Sequence, residues 1–482
     1  MIHLLLLIFL TLLIGFQANR IVKLSNSWYY LATVFFLYFW SLMGSWFFII
    51  DNLTNNGLKA YGLHYYHIFD LLFKVELDMN YLLLILFYGF FIISFQFFVI
   101  RSLKKSQVHI EVIEKHNTVE LNVVKISILS FVCILFSFLI VFDDIMYAIK
   151  FGDSIYTTTR NSASKFYTLH QILNQIAIVL VFFSFIVMID KRENPKFIVA
   201  QTGWSKITIV SLFLIVVVYL TCLGNKHELL TAGIFSILYF FDGKRIFRKQ
   251  NLPILWIIPF FVLPLMFNDP IRALLPKIIN QIMNVDDYQL SEETIKIMKN
   301  SGYGEQDLGE ISSSAFLSVF FSNEMFYSQF SLYGILLFKV PLLWGTSFLS
   351  LITSIVPKIF GLPRYMDSYT YYSIMTHAKQ GQGYTINHIA AWYLNFGFIG
   401  ILLGASVLAA FFIYPIKLIR NVRIPKKFST FIYLTPFLLA AFIPNLVRTG
   451  PEGYKALILE GVLIPLFFIW FSKQKNNADT SA

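Results

Sequence analysis

Charge is what this chain has least of. Only 13% of its 482 residues are Asp, Glu, Lys or Arg, against roughly a quarter in soluble domains. With 57% of the residues apolar, 18% aromatic and Phe alone numbering 52, too little polar material remains to clothe a water-facing globule. A soluble fold is excluded. Cysteine is nearly absent: Cys133 and Cys222 both fall inside apolar runs. This pair builds no disulfide framework and no thiolate metal site, and packing explains both. The motifs of nucleotide and hydrolase chemistry are missing too. There is no P-loop, no dinucleotide fingerprint, no HExxH and no G-x-S-x-G. ATP-driven transport and kinase chemistry are thereby disfavoured. No metal site is evident, no cofactor is called for, and no internal repeat or low-complexity tract is present.

What the chain does have is a series of apolar runs near the ~20 residues needed to cross a bilayer as a helix. They are Ile2–Ala18, Trp28–Ile50, Tyr81–Ile100, Ile126–Phe142, Gln171–Ile189, Lys206–Leu223, Glu228–Phe241, Leu252–Phe267, Ile386–Tyr414, Phe428–Val447 and Tyr454–Phe471. The expected fold is an all-α polytopic membrane bundle of about eleven spans. The first run has no basic segment before it and no small-residue cleavage site, and is read as a retained helix. Lys and Arg favour the cytoplasmic side. With the N-terminus outside, every inside segment (19–27, 101–125, 190–206, 242–251, 415–427 and the tail 471–482) is net positive. The remainder is net negative, although the whole chain is +11. An N-out, C-in topology follows. The basic balance reflects that topology and offers no argument for nucleic acid.

One large polar loop, 268–385, then lies outside. Within it Pro341–Pro357 is apolar and uncharged. A single crossing there would place the basic 417–427 loop outside, so the segment is read as re-entrant or interfacial. The stretch Leu290–Lys299 reads as a short helix capped by Ser291.

The residues that can carry chemistry are cations and imidazoles near helix ends on the outer side. Arg448 lies between the last two spans, among Pro444, Gly450, Pro451 and Gly453. A guanidinium fork matches phosphate oxygens, although an arginine there can also simply snorkel to headgroups. Arg272 and Arg364 are further phosphate candidates, with Arg160 a weaker one. Lys226, His227 and Glu228 occupy a tight turn, where interfacial capping is the plainer reading. His377 and His388 are candidate proton acceptors. His388 and Trp392 are spaced i, i+4 and share a helix face, with Asn387, Ala391 and Asn395 as a second stripe. Polar residues inside a span usually face the bundle interior. Gly397, Gly400 and Gly404 offer a small-residue face for close helix packing.

Two stretches carry a resemblance. Gly381–Gly400, GQGYTINHIAAWYLNFGFIG, resembles the segment after the large periplasmic loop of Wzy-type O-antigen polymerases, the oligosaccharide repeat-unit polymerases of bacterial inner membranes. Asn445–Glu460, NLVRTGPEGYKALILE, resembles that family's final outer loop and last helix. Gly224–Leu230 is a fainter likeness, with Lys226 where an Arg is frequent. The chain departs from the pattern at Ala391-Trp392, where many relatives have Glu before the aromatic, so no carboxylate carries over there.

The resemblance implies a GT-C-like glycosyltransferase. It would transfer a growing glycan from undecaprenyl pyrophosphate to an incoming lipid-linked repeat unit, among membrane lipid, with a chain-length regulator and a flippase as possible partners. Arg448, Arg364, Arg272 and Lys226 would hold pyrophosphate. His377, His388 or Glu452 would assist the acceptor hydroxyl, and Glu228 is a further carboxylate. Tyr384 and Trp392 would pack on sugar. An O-antigen ligase and a flippase for lipid-linked oligosaccharide share much of this plan and stay open, and a purely structural membrane protein is the plainest alternative.

Overall fold

In the computed structural model, residues 1–25, 27–54, 75–106, 118–153, 155–160, 166–190, 196–199, 202–223, 226–242, 275–282, 327–355, 365–376, 385–421 and 430–473 are described. Their main helices are, in chain order, α1 (Ile2–Ser25), α2 (Trp28–Tyr38), α3 (Gly44–Thr54), α4 (Met79–Ser106), α5 (Val123–Ile140), α6 (Phe142–Phe151), α7 (Ile155–Arg160), α8 (Tyr167–Ile189), α9 (Gly203–Leu223) and α10 (Lys226–Phe241). There follow α11 (Ser331–Leu337), α12 (Ser347–Ile355), α13 (Ser368–Met375), α14 (His388–Asn421), α15 (Thr435–Leu446), α16 (Gly453–Ile458) and α17 (Ile464–Phe471). Among the described residues eight helices are long and apolar enough to cross a membrane, and Glu228–Phe241 and Thr430–Leu446 are shorter apolar helices. The chain is a helical, multi-pass membrane protein. The run expected at Leu252–Phe267 and the helix expected at Leu290–Lys299 lie outside the described residues.

The chain divides into two compact units. The first comprises 1–115, 312–425 and 432–462, and the second 116–311, 426–431 and 463–482. In the first unit α4 is central, packing on α1, α2, α11 and α14. The α1 residues that face inward, His3, Leu7, Leu10, Ile14, Ala18 and Ile21, recur every three to four positions, as one face of a helix must. Leu10 nests on Gly89 of α4, where a Cβ would come within 2.6 Å of its side chain. The Gln96 amide donates to the Ile14 carbonyl at 2.9 Å. In an apolar solvent such polar contacts have no water to replace them.

Among the described residues, three helices of this unit or at its edge are irregular. Phe39–Met43 is a π-helical turn joining α2 to α3, and Leu459–Leu463 is another after α16. The third is a break inside α14, where Phe396 (φ −139°, ψ 16°) and Gly397 (φ 61°, ψ −144°) leave helical geometry. The expected ninth span is therefore a half-helix, His388–Asn395, followed by a longer helix.

In the second unit α8 is central, packing on α5, α9, α10 and α17. Asn122 caps α5, its side chain accepting from the Lys125 amide at 3.0 Å. Two three-residue strands, β1 (Val119–Leu121) and β2 (Phe197–Val199), pair in parallel, with Val119 opposite Phe197 and Leu121 opposite Val199. An all-α chain does not anticipate this pair. Leu121 also bridges Lys473, and the Asn122 amide donates to the Ser472 carbonyl at 2.8 Å.

The apolar stretch expected to be re-entrant or interfacial is irregular from Pro341 to Gly345 and helical in α12. Nine helical residues span about 14 Å, well short of a bilayer core. Lys339 (φ 49°), Trp344 (φ 50°) and Gly345 (φ 81°) take left-handed backbone here.

Candidate functional site

The first unit gathers its polar side chains at the start of α14. Asn387 caps that helix, its Oδ1 accepting from the Ile389 amide at 2.9 Å. Its own amide nitrogen donates to Ser41 Oγ at 3.2 Å and to the Trp40 carbonyl at 3.5 Å. Both partners lie in the π-turn of Phe39–Met43, where the altered i→i+5 pattern leaves a carbonyl available. The Asn387 backbone amide donates to Ser331 Oγ at 3.0 Å.

His388 is fully buried and engaged on both ring nitrogens. Nδ1 lies 2.9 Å from the Thr449 carbonyl oxygen. A carbonyl can only accept, so Nδ1 carries the proton and Nε2 is the acceptor. Nε2 receives the Trp392 indole N–H at 3.0 Å and faces the Tyr454 hydroxyl at 3.0 Å. The His388 backbone amide donates to the Val447 carbonyl at 2.9 Å. The i, i+4 spacing of His388 and Trp392 thus closes a direct hydrogen bond.

The break at Phe396–Gly397 folds the half-helix back on the helix that follows. A Cβ on Gly400 would sit 2.0 Å from the Trp392 carbonyl oxygen, and one on Gly404 would sit 2.6 Å from the indole ring. These glycines do serve close packing, as their spacing predicts. The partner, however, is the same chain segment eight to twelve residues earlier, not another helix. Gly397 instead supplies a left-handed φ of 61°, which a side chain disfavours. The break also frees the Leu394 carbonyl, which accepts from the Leu343 amide at 2.9 Å.

Asn395 extends the network. Its Oδ1 accepts from Ser347 Oγ at 2.9 Å, and its amide donates to the Ala391 carbonyl at 2.8 Å and to Ser368 Oγ at 3.4 Å. Ser368 opens α13, and its backbone amide donates to Glu452 Oε1 at 2.5 Å. Asp367 caps the same helix, accepting from the Thr370 amide at 2.7 Å. Two carboxylates therefore meet the positive end of one helix. Burial lifts the Glu452 carboxyl above its ordinary range. The Ser368 hydrogen bonds oppose this shift, and neighbouring Asp367 adds to it.

Arg448 sits on the turn between α15 and α16. It is half-buried, with its Nε enclosed by protein. The turn is tight: a Cβ on Gly450 would meet Glu452 Oε2 at 1.9 Å, and one on Gly453 would meet Thr449 Oγ1 at 2.0 Å.

Of the residues singled out from sequence, His388, Trp392, Arg448 and Glu452 are thus brought to one place. Two of them sit otherwise than a substrate contact would require. His388 has no exposed ring edge, and Trp392 is 4% exposed, packed edge-to-face against Phe348 at 5.3 Å. Lys226 is the first residue of α10 in the second unit. His377, Arg364, Arg272 and Tyr384 lie outside the described residues. Tyr454, Thr449 and Ser368 belong to the network without any sequence signal that isolates them. Tyr454 and Thr449 are ordinary residues of the second quoted segment and Ser368 lies outside both, so only the fold selects them.

An apolar groove of about 460 Å³ opens between α14, α15, α16 and the π-turn after it, with Phe411, Leu439, Ile458 and Val462 in its wall. Phe411 stacks on Tyr454 at 5.1 Å, so the groove adjoins the His388 network.

The second unit has a polar cluster of its own, which sequence reasoning passed over. Ser137 Oγ donates to Asn174 Oδ1 at 2.5 Å and lies 3.0 Å from the Tyr219 hydroxyl. His170 Nδ1 lies 2.9 Å from Ser137 Oγ and 3.0 Å from the Ser137 carbonyl, while Asn174 Nδ2 lies 3.2 Å from His170 Nε2. These contacts link α5, α8 and α9, as interhelical polar contacts in membranes do.

Among the described residues no group of three or more His, Cys, Asp or Glu side chains converges to hold a metal ion. Comparison with protein-family models, with curated proteins and with solved structures finds no match to this chain.

Proposed function

We propose that this protein is a membrane glycosyltransferase that polymerises lipid-pyrophosphate-linked oligosaccharide repeat units, yielding O-antigen or a related surface polysaccharide at the periplasmic face of a bacterial inner membrane. One observation carries the reading. The two stretches that bear the resemblance, 381–400 and 445–460, are remote in sequence yet joined by three hydrogen bonds, from the His388 amide to Val447, from its Nδ1 to Thr449 and between its Nε2 and Tyr454.

The chemistry follows from the groups gathered there. An acceptor hydroxyl attacks the anomeric carbon of the donor glycan, and the bond from that carbon to the pyrophosphate oxygen breaks. The departing undecaprenyl pyrophosphate carries the negative charge, which a preorganised cation stabilises. Arg448 has the chemistry and the half-buried setting for this. The acceptor proton passes to a carboxylate, and Glu452 is the candidate within the network. A carboxyl lifted above its usual range is a stronger base than an ordinary one. The adjoining apolar groove is compatible with amphiphilic substrates.

The test is genetic and then biochemical. Deleting the gene in its host is expected to leave a single repeat unit on the lipopolysaccharide core, with the ladder gone. Restoring the gene as Arg448→Ala is expected to leave the ladder absent while the protein accumulates normally in the membrane. A full ladder with that variant would remove Arg448 from the pyrophosphate role. A deletion that leaves no repeat unit at all would turn the reading to a flippase or a ligase. Polymer accumulating on undecaprenyl would then select the ligase.

A further inference from the structure

We infer that His388 is a positioning residue that grips the main chain on both sides of Arg448 and takes no proton in the reaction. The inference rests on the pyrophosphate role proposed for Arg448. The carbonyl before that residue, Val447 O, accepts from the His388 backbone amide at 2.9 Å. The carbonyl after it, Thr449 O, accepts from His388 Nδ1, also at 2.9 Å. One residue thus holds the peptide group that enters Arg448 and the peptide group that leaves Thr449, so the main chain is fixed on both sides of the cation and the guanidinium inherits its direction from it. A long flexible side chain can be aimed only if its backbone is held.

The remaining contacts explain why the ring cannot act as a base. Its protonated nitrogen faces Thr449, and its single acceptor lone pair, on Nε2, already serves the Trp392 indole and the Tyr454 hydroxyl. The ring is fully buried. No position is left from which an acceptor hydroxyl could deliver a proton. Trp392 in turn is seated by Gly400 and Gly404, so the imidazole cannot turn without displacing the indole.

Side-chain geometry supplies the discriminating variants. The amide of Asn can place a donor near Nδ1 but does not reach the Nε2 position. The amide of Gln reaches towards Nε2 and loses the Thr449 contact. The full-length protein in detergent would be titrated with farnesyl pyrophosphate as probe. Wild type is expected to bind and Arg448→Ala to bind more weakly. His388→Asn should stay near wild type, and His388→Gln should weaken binding about tenfold, the scale of one lost hydrogen bond. The double variant His388→Gln/Arg448→Ala should be no weaker than Arg448→Ala alone, because His388 acts through Arg448.

Equal affinity of wild type and His388→Gln, with Arg448→Ala impaired, would overturn the inference and leave the proposed function standing. So would additive loss in the double variant, which marks a general packing defect. Absence of probe binding by wild type would instead overturn the Arg448 reading itself, and the inference with it. If the His388 variants fail to fold, Tyr454→Phe decides. It removes one donor from Nε2 and leaves the Thr449 contact, so the pH profile of turnover should be unchanged. A shift of its acid limb would identify Nε2 as the base and overturn the inference.

Discussion

In the second unit α5, α8 and α9 run through without interruption, and a buried polar cluster around Ser137 and His170 links the three by side-chain contacts. In the first unit and at its edge two helices pass through π-turns and a third breaks outright, and the polar contacts form an extended web from Ser41 to Glu452. Both units are made from strongly apolar sequence. The difference lies in what the irregular backbone makes available. A regular helix satisfies its own amides and carbonyls and offers only side chains to its neighbours. A π-turn or a break presents main-chain groups as partners, and Trp40 O and Leu394 O are used in that way. Irregular backbone at membrane depth is tolerated where protein encloses it, and in proteins generally it clusters at functional sites. Among the described residues, the contrast sets irregular, polar-linked backbone in the first unit against regular helices in the second.

The sharpest way to break this contrast is to fill the fold-back of α14. Gly400→Val sets a side chain against the Trp392 carbonyl and is expected to cost about 3 kcal/mol or more. Thermal unfolding in detergent would read this as a large drop in midpoint. Gly203, the first residue of α9, has no atom within 4 Å of a built Cβ, so Gly203→Ala should move stability by less than about 0.5 kcal/mol. Equal effects would erase the distinction between the two units at these positions.

A smaller effect comes from the cap. Asn387→Ala removes the N-cap and the contacts to Ser41 and Trp40, and about 1–2 kcal/mol of stability should go with them. Because the lost contacts belong to the web, polymer formation should fall as well. In the second unit Ser137→Ala opens the polar cluster at a cost of about 1 kcal/mol, and probe binding should be unchanged. Weakened binding in Ser137→Ala would show that the second unit shares in the site.

The smallest expected effect depends on pH. The Glu452 carboxyl is raised by burial, so the folded protein keeps its proton to higher pH than the unfolded chain does. The stability it contributes is fullest below the ordinary carboxylate range and is lost as pH rises through the raised value. Glu452→Gln keeps an acceptor for the Ser368 amide without that loss. As pH rises from the ordinary carboxylate range, the midpoint of the variant should improve relative to wild type. A constant difference would remove the buried carboxyl as its cause.

Much of this architecture is legible from the chain alone, and the reasons for what is not are specific. Apolar runs and charge mark the spans because crossing lipid depends on length and hydropathy. The i, i+4 spacing of His388 and Trp392 places them on one face, and the structure closes their hydrogen bond. The break at Phe396–Gly397 leaves no such trace. Its residues are apolar, its neighbours are apolar, and one glycine among three reads as packing. The π-turns are equally silent, since Phe39–Met43 and Leu459–Leu463 are ordinary helix formers with Gly461 fitted against Phe442. Tyr454 and Thr449 enter the site through contacts more than sixty residues along the chain from His388, which no local pattern encodes. His170 and Asn174 sit at the edge of a run recognised only for its hydropathy.

The fold-back of α14 also constrains the order of events during synthesis. As the chain emerges, residues 386–414 present themselves to the insertion machinery as one uninterrupted greasy segment. The groups that hold the half-helix in its final direction, Val447, Thr449 and Tyr454, are made only later. Until they arrive, His388 and Asn395 ride on a segment that has entered the bilayer but has not taken its adult shape. The turn after α15 and helix α16 act in this sense as an assembly checkpoint: a nascent chain stalled before Val447 would be inserted yet unset.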